Sequence, residues 1–164
     1  MAKILILPGD GIGPEVMEQV FHVIDWMTKH KTVSFDISER LVGGAAYDIE
    51  GNSISDETMQ EALNSDAVLF GAVGGPDWDD PLNDVRPEDG ILGIRKSLGL
   101  FANLRPVKVY PSLINSSPLK PEYLDGVDMF VLRDLTGGLY FGRPKKRLNT
   151  KRGRLGVDTL LYTE

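Results

Sequence analysis

The 164-residue sequence contains no cysteine. This absence excludes disulfide bonds, thiolate metal sites and a cysteine nucleophile, and it suits the reducing cytoplasm. The first apolar run reaches Pro8 and Gly9 too early for a secretory signal, and no stretch approaches the roughly 20 apolar residues of a membrane span. We therefore expect a cytoplasmic protein with no membrane segment.

Basic residues are scarce outside one short segment. Lysine and arginine number 18 against 24 aspartate and glutamate, for a formal net charge of −6. Seven basic residues and no acidic one lie between Arg143 and Arg154, which leaves 11 basic against 24 acidic residues elsewhere. The overall charge argues against a nucleic-acid partner. The basic segment fits a solvated or dimer-facing turn, with a polyanion-binding module as the alternative.

Strands and helices alternate through the first part of the chain. "KILILP" and "VSFDIS" predict strands, while "EVMEQVFHVIDWMTKH" has apolar residues at helical spacing. "DETMQEAL" predicts a helix capped by Ser55 or Asp56. "DAVLFGAVGG" is a continuous apolar run, typical of a strand buried on both faces of a parallel sheet, and "EDGILGIRKSLGL" predicts another helix. This alternation indicates an α/β fold.

The later part of the chain changes character. "ANLRPVKVY" predicts a strand and "VDMFVLRD" another buried strand. "GGLYFG" and "LGVDTLLYT" predict two strands flanking the basic, turn-containing "RPKKRLNTKRG", which gives a protruding β-hairpin arm over about residues 137–162. Thr163 and Glu164 resemble the start of a helix that does not follow. We therefore expect a chain interrupted within a domain.

Three motifs approach known ligand sites without matching them. "GDGIGPE" lacks the third glycine of the dinucleotide fingerprint because Pro14 stands there, and Asp10 and Glu15 would oppose a pyrophosphate. "GILGIRKS" has Arg95 where a P-loop needs glycine. The acidic "DWDDPLND" at residues 77–84 lacks a cation-binding spacing and is expected to be a solvated loop. An ordinary Rossmann site and a P-loop are thus disfavoured.

Three arginines remain as candidates for function. Arg95 lies in a predicted helix, whereas Arg105 and Arg133 lie in predicted strands. Each taken alone fits a surface ion pair. If two strand ends and the helix converge at the carboxyl edge of the sheet, the three guanidinium groups would hold a small di- or tricarboxylate. Tyr140 would then exchange a proton nearby.

Four blocks together resemble one enzyme family. "LPGDGIGPEV", "FGAVGGPDWD", "RPEDGILGIRKSLGLFANLRPVKVYP" and "LRDLTGGLYFG" are similar to the decarboxylating β-hydroxyacid dehydrogenases, the isocitrate/isopropylmalate dehydrogenase family, and most closely to its isopropylmalate branch. The resemblance implies a non-classical Rossmann α/β fold with a parallel or mixed sheet and flanking helices. It also implies a truncated chain, with residues 1–99 beginning a cofactor-side domain and residues 100–164 beginning a dimerisation and substrate domain.

The resemblance further implies NAD-dependent oxidative decarboxylation of 3-isopropylmalate to 4-methyl-2-oxopentanoate in leucine biosynthesis, with Mg²⁺ or Mn²⁺. Arg95, Arg105 and Arg133 would hold the malate carboxylates and hydroxyl, and Tyr140 would give a proton to the enol carbon after carbon dioxide leaves. The positions implied to contact the isopropyl group are Ile91 and Leu92, and those implied to contact the nicotinamide half of the cofactor are Glu88, Ile12, Ala72, Val73, Gly74 and Gly75.

The same resemblance places several groups after residue 164: the lysine that assists the hydroxyl proton, the metal-binding aspartates and the adenosine loop. We therefore expect the isolated chain to be inactive and to form a homodimer through its arm. Asp134 stands where relatives commonly have glutamate, a mild change beside Arg133. A sister enzyme acting on tartrate, D-malate or homoisocitrate stays open, as does a non-catalytic assembly module.

Overall fold

The computed structural model describes residues 1–31, 33–78 and 85–162. The chain divides into two compact units, Met1–Leu98 and Gly99–Glu164. Most of the acidic "DWDDPLND" segment, at residues 79–84, lies outside the described residues, so the loop expected there stays a prediction. Thr163 and Glu164, which resemble a helix start, also lie outside them.

The first unit is built on a parallel sheet. Its strands are β1 (Ala2–Gly9), β2 (Phe35–Glu39) and β3 (Ala67–Ala72), in the order β2-β1-β3. The central strand β1 has four consecutive buried residues, 4–7, because it has a partner on each side. All three strands confirm the predicted elements. β3, however, is half-buried along most of its length, so the expected burial on both faces is wrong.

Four helices accompany this sheet: α1 (Gly13–His30), α2 (Gly44–Glu50), α3 (Asp56–Leu63) and α4 (Pro87–Ser97). Ser55 Oγ accepts a hydrogen bond from the Thr58 N–H at 3.3 Å, which confirms Ser55 as the cap of α3. Helix α2 was not predicted from the sequence, because it is short and no side chain caps it. It begins after Gly43, whose φ of +79° favours glycine.

Helices cover both faces of the sheet. Ile4 and Ile6 of β1 point to the face covered by α1 and pack with Met17 and Ile24. The alternate residues of β1, Leu5 and Leu7, point the other way and pack with Ala62 of α3 and Ile94 of α4. This alternation confirms an α/β unit whose parallel sheet has flanking helices.

The second unit contains two separate antiparallel pairs. Strand β4 (Ala102–Lys108) pairs with β5 (Asp128–Asp134), and β6 (Lys146–Thr150) pairs with β7 (Gly153–Val157). The expectation that "VDMFVLRD" is a buried strand is wrong, since Phe130 and Leu132 are 68% and 67% exposed. An apolar run in the sequence shows only that its own side chains are hydrophobic. Whether they are buried depends on other segments packing against both faces of the strand.

The hairpin arm differs in detail from the expected one. "GGLYFG" is a turn rather than a strand: Gly138 has a φ of +66°, and the Gly142 N–H donates to the Gly138 carbonyl at 3.0 Å. The basic segment supplies β6 itself, and Leu148 lies opposite Leu155 across the pair. The short 3₁₀ helices are Pro76–Trp78, Pro111–Ser116 and Pro121–Tyr123.

No helix within residues 1–31, 33–78 and 85–162 combines the length and apolar character needed to cross a membrane.

An ion pair fastens the end of β2 to α3. Arg40 Nε lies 2.6 Å from Glu61 Oε2, and Arg40 Nη2 lies 2.9 Å from Glu57 Oε1. A hydrogen bond from the Ser38 hydroxyl, together with the Arg40 guanidinium, holds the pKa of Glu61 below its usual range. Because this pKa is lowered on folding, the ionised carboxylate stabilises the folded state above the unfolded-state pKa of about 4.3. That stabilisation is lost as the pH falls through the folded-state pKa.

We predict that Glu61→Gln lowers the unfolding temperature of the Met1–Leu98 unit at pH 7, with a deficit that shrinks as the pH falls below about 4.3. Both tryptophans, Trp26 and Trp78, lie in this unit, so their fluorescence follows its unfolding. Glu57→Gln is the control and should have a smaller effect, since the Glu57 side chain is 74% exposed against 26% for Glu61. An equal deficit for Glu61→Gln at pH 3 and pH 7 would contradict the assignment.

Candidate functional site

The strand order places a ligand crevice at one edge of the parallel sheet. The chain leaves β1 toward β2 on one side and later enters β3 on the other side. Ligands of open α/β sheets bind at the carboxyl ends of the strands where the order reverses in this way. Gly9 at the end of β1 pairs with Ala72 at the end of β3. The loops that follow these two residues therefore line the expected crevice.

Asp10, in the first of these loops, is 4% exposed and bonded entirely to backbone. Its Oδ2 accepts hydrogen bonds from the Gly44 N–H at 2.7 Å and the Gly74 N–H at 2.9 Å. Its Oδ1 accepts one from the Ala45 N–H at 2.8 Å. Bonds to an ionised carboxylate are among the stronger hydrogen bonds, and they offset the cost of burying the charge. One side chain thus joins the loop after β1, the start of α2 and the loop after β3.

Glycines make the close approach around Asp10 possible. A Cβ on Gly43 would collide with the Asp10 carboxylate. Gly74 has a φ of +96°, and a Cβ there would lie 2.7 Å from Glu88 Oε1. Glu88 therefore lies against the backbone of Gly74 in the loop after β3.

The surface beside this loop is open as far as the described residues show. Among them, a Cβ on Gly11 would meet only the Gly74 carbonyl oxygen, at 3.8 Å, and the neighbouring Ile12 side chain is exposed. This open backbone surface with an adjacent apolar side chain suits the flat ring and ribose of a nicotinamide. The residues present therefore fit that half of the cofactor.

Trp78 covers the side of the same loop. Its ring lies against Gly44, where an added Cβ would collide with it, and a Cβ on Gly75 would lie 3.3 Å from Trp78 Cζ3. The indole Nε1–H donates to Asp48 Oδ1 at 3.1 Å. Sequence reasoning did not single out this role. The available signal was the pair of double glycines at residues 43–44 and 74–75, which a large ring can pack against.

Helix α4 presents one functional side. Glu88, Ile91, Leu92 and Arg95 are spaced at i, i+3, i+4 and i+7, so they share a face. The buried residues of the helix are Pro87, Gly90 and Ile94. A carboxylate, two half-buried apolar groups and a guanidinium are thus displayed in a row. Arg95 has no ion-pair partner within the described ranges.

The second unit brings two of the candidate arginines onto one face. Asn103 lies directly opposite Arg133 in the β4–β5 register, and Arg105 is two residues along β4, so all three share a face. Arg105 Nε donates to Asn103 Oδ1 at 2.7 Å. The expectation of two strand ends at one sheet edge is wrong here, because the strands are antiparallel and Arg105 lies in the middle of β4.

This arginine face, defined by Asn103, Arg105 and Arg133, lacks an anionic partner. Neither arginine forms an ion pair with a carboxylate in the part of the chain that the structure describes. Like charges on neighbouring strands repel each other. A ligand with carboxylate groups would remove that repulsion and accept paired hydrogen bonds.

Tyr140 lies against Arg133. Arg133 Nη2 donates a hydrogen bond to the Tyr140 hydroxyl, and the guanidinium carbon lies 5.0 Å from the centre of the ring. Tyr140 as a whole is 43% exposed. The second unit therefore places a phenol, a group that can donate a proton, beside the arginine face.

Metal ligands are not grouped in this part of the chain. Among the described residues, no cluster of three or more histidine, aspartate or glutamate side chains could hold a metal ion. These residues therefore supply no complete metal site.

Comparisons with known proteins agree on a family. The model described as isocitrate/isopropylmalate dehydrogenase matches residues 3–164. The curated 3-isopropylmalate dehydrogenase of Paramagnetospirillum magneticum is 56% identical over 162 residues, and that of Anaeromyxobacter dehalogenans is 54% identical over 164 residues. The alignments cover 98% and 99% of this chain but 44% and 46% of those relatives. The chain thus spans less than half of their length.

Solved structures give the same architecture. A β-decarboxylating dehydrogenase from Thermococcus kodakarensis, in its apo form, matches with a TM-score of 0.63 and 29% identity, covering 98% of this chain and 41% of that one. An isocitrate dehydrogenase from Methylococcus capsulatus matches with a TM-score of 0.74 and 23% identity, covering 97% and 42%. The second likeness concerns the fold alone.

We predict that Gly44→Ala displaces the Trp78 ring, because the added methyl group would occupy the space of the indole. The expected result is red-shifted tryptophan emission and a lower unfolding temperature. Gly93→Ala is the matched control: its methyl group would lie 3.5 Å from Met59 Cε, an ordinary contact, and alanine favours a helix by roughly 0.5–1 kcal/mol over glycine. Unchanged emission from Gly44→Ala would show that Trp78 does not pack there.

Proposed function

We propose, because the chain belongs to the isocitrate/isopropylmalate dehydrogenase family, that it forms the amino-terminal part of an NAD-dependent enzyme that oxidises and decarboxylates 3-isopropylmalate. The observation that supports this most directly is the arginine face with Tyr140 beside it. The names of the relatives favour this substrate within the family. Such an enzyme serves leucine biosynthesis in the cytoplasm.

In this proposal the arginines bind the polar end of the substrate. Arg105 and Arg133, from one face of the β4–β5 pair, and Arg95, from α4, each present a planar guanidinium to a carboxylate or hydroxyl oxygen. A malate-type substrate carries two carboxylates and a hydroxyl, which matches three such groups.

The apolar pair on α4 supplies selectivity. Ile91 and Leu92 lie between Glu88 and Arg95 on the functional side of that helix, and both are half-buried. They would contact the isopropyl group, which gains from apolar surroundings, whereas the smaller substituent of D-malate gains little. This contact favours 3-isopropylmalate over the sister substrates tartrate, D-malate and homoisocitrate.

The crevice at the ends of β1 and β3 is proposed for NAD. Ile12 and the loop of Ala72, Val73, Gly74 and Gly75 would contact the nicotinamide ribose, and Glu88 would lie where the nicotinamide and substrate meet. NAD, when bound, accepts the hydride from the carbon that carries the substrate hydroxyl.

Tyr140 is the proposed proton donor. Once the hydroxyl is oxidised to a ketone, the carboxylate β to that ketone leaves as carbon dioxide, and the electrons of the broken C–C bond form an enolate. The Tyr140 hydroxyl would then give its proton to the enolate carbon, which restores the ketone, while Arg133 holds the phenol in place. A divalent metal, Mg²⁺ or Mn²⁺, stabilises enolate charge in this family. Because the described residues offer no complete site for it, no step is assigned through the metal.

The β6–β7 hairpin is proposed to join two copies. Leu148, Leu155 and Val157 lie on one face of the hairpin together with Lys146 and Thr150, whereas Arg147 and Arg154 lie on the other. The face with the two leucines is partly exposed, and a two-stranded sheet has an unpaired edge on each strand. Pairing with the same hairpin of a second subunit would cover both features and give a homodimer.

The decisive experiment uses a chimera in which this chain replaces the matching region of the Paramagnetospirillum magneticum relative. We expect NADH formation from 3-isopropylmalate with NAD and Mn²⁺, at a kcat/KM at least tenfold above that for D-malate. Light scattering of the same chimera should give a dimer. The 164-residue chain alone should form no NADH, since the lysine and metal ligands are implied to come later.

Three outcomes would overturn parts of this proposal. Preference for D-malate, tartrate or homoisocitrate would assign a sister enzyme. Turnover by the 164-residue chain alone would show that its own residues replace the missing groups. Retention on heparin that disappears when Lys145, Lys146 and Arg147 are neutralised, with an inactive chimera, would favour the non-catalytic module.

Arg133→Lys in the chimera is predicted to raise KM for 3-isopropylmalate by roughly 10–100-fold, because lysine cannot form the paired hydrogen bonds of a guanidinium. Tyr140→Phe should instead lower kcat with a smaller change in KM, since it removes the proton and leaves the ring. Arg154→Lys, on the hairpin, is the control and should leave both constants unchanged. Unchanged kinetics in Arg133→Lys would remove Arg133 from the substrate site.

A further inference from the structure

We propose that Asp10 is a positioning residue that sets the affinity for the cofactor by holding the Gly74 N–H; this inference rests on the proposed function. Asp10 is not a catalytic residue, because its carboxylate is buried and both oxygens are occupied by backbone donors. Its effect on the reaction must therefore pass through the loops that it bonds.

The loop after β3 depends on this bond. The Gly74 N–H donates to Asp10 Oδ2 at 2.9 Å, and the carbonyl of Ala72, the last residue of β3, accepts from the Asp10 N–H at 2.6 Å. Residues 73–75 belong to no helix or strand, so no ladder of backbone bonds fixes them. Asp10 thus holds the loop at two points. Its main-chain N–H bonds the end of the preceding strand, and its carboxylate bonds the loop itself.

The orientation of Gly74 in turn shapes the open surface of the crevice. Its carbonyl oxygen lies beside Gly11, and its Cα faces Glu88. A Gly74 released from Asp10 is free to rotate, since glycine has no side chain to restrict it. Rotation would carry the carbonyl into the open surface and change the position that Glu88 contacts. We therefore expect loss of the bond between Asp10 and Gly74 to weaken cofactor binding first.

Asp10→Asn is the sharpest test because it keeps the shape of the side chain. An asparagine amide has only one oxygen, so its NH₂ group must face either the Ala45 N–H or the N–H groups of Gly44 and Gly74. In both orientations a donor faces a donor, and the remaining bonds lose their charge assistance. The substitution therefore weakens the hydrogen bonds to residue 10 and hardly changes the volume of its side chain.

Two controls separate positioning from general stability. Asp66 Oδ2 accepts a hydrogen bond from the Lys3 N–H at 2.8 Å, at the amino end of the same sheet. Asp66→Asn thus repeats the chemical change away from the crevice. Ala45→Pro deletes one of the three donors to Asp10 in the first turn of α2, where proline is tolerated, and leaves the Gly74 bond in place.

The experiment measures amide hydrogen exchange without cofactor and the NAD dissociation constant, both in the chimera. Asp10→Asn should speed exchange at Gly74 and raise the dissociation constant for NAD, each on the order of 10-fold, with KM for 3-isopropylmalate changed less than about twofold. Asp66→Asn and Ala45→Pro should leave Gly74 exchange and NAD affinity within about twofold of the parent. Because Ala45→Pro keeps the Gly74 bond, weakened NAD binding in this variant would contradict the assignment even if Asp10→Asn folds poorly.

Three other results would each lead to a different conclusion. Parental NAD affinity and Gly74 exchange in Asp10→Asn, with only a lower unfolding temperature, would reduce Asp10 to a structural residue. Weakened NAD binding in Ala45→Pro with protected Gly74 would assign the effect to α2 instead. Faster Gly74 exchange without any NAD binding by the parent chimera would overturn the proposed function while leaving the anchoring of the loop intact.

Discussion

The first unit depends on the bonds of one buried carboxylate. Asp10 accepts from Gly44, Ala45 and Gly74, and an ionised carboxylate is strongly destabilised in the interior unless such bonds are made. The ends of three segments must therefore meet at the carboxyl end of β1. This constraint explains the glycines nearby, because a side chain at Gly43 would occupy the place of the carboxylate itself.

The crevice follows from the same convergence. In the order β2-β1-β3 the strands β1 and β3 are neighbours, so the loops that follow them start side by side, and the Asp10 carboxylate bonds one loop to the other. Trp78 packs against the glycines that the convergence leaves without side chains. Helix α4 buries Gly90 against the Ser53 carbonyl and thereby turns Glu88 toward Gly74. The residues proposed to contact the cofactor are thus placed largely by contacts with backbone atoms.

Sequence patterns predicted the local elements well and the long-range ones poorly. The helical spacing of α1, the Ser55 cap of α3 and the apolar run of β1 are properties of neighbouring residues, and all were confirmed. The family resemblance was also confirmed, since its blocks span the chain. The role of Asp10 was missed because its donors lie 34, 35 and 64 residues away. The exposure of β5 was missed because it depends on what covers the strand.

The arginine face shows a different balance between stability and recognition. Arg105 and Arg133 lie on one face with no carboxylate partner among the residues described. A dicarboxylate that binds only the folded state would stabilise it by an amount that grows with the logarithm of its concentration relative to the dissociation constant. In the proposed function, such a ligand would supply the negative charge that the face lacks. The Asp10 carboxylate, by contrast, is a negative group whose hydrogen-bond donors come from its own chain. The loops of the first unit are therefore positioned without a ligand.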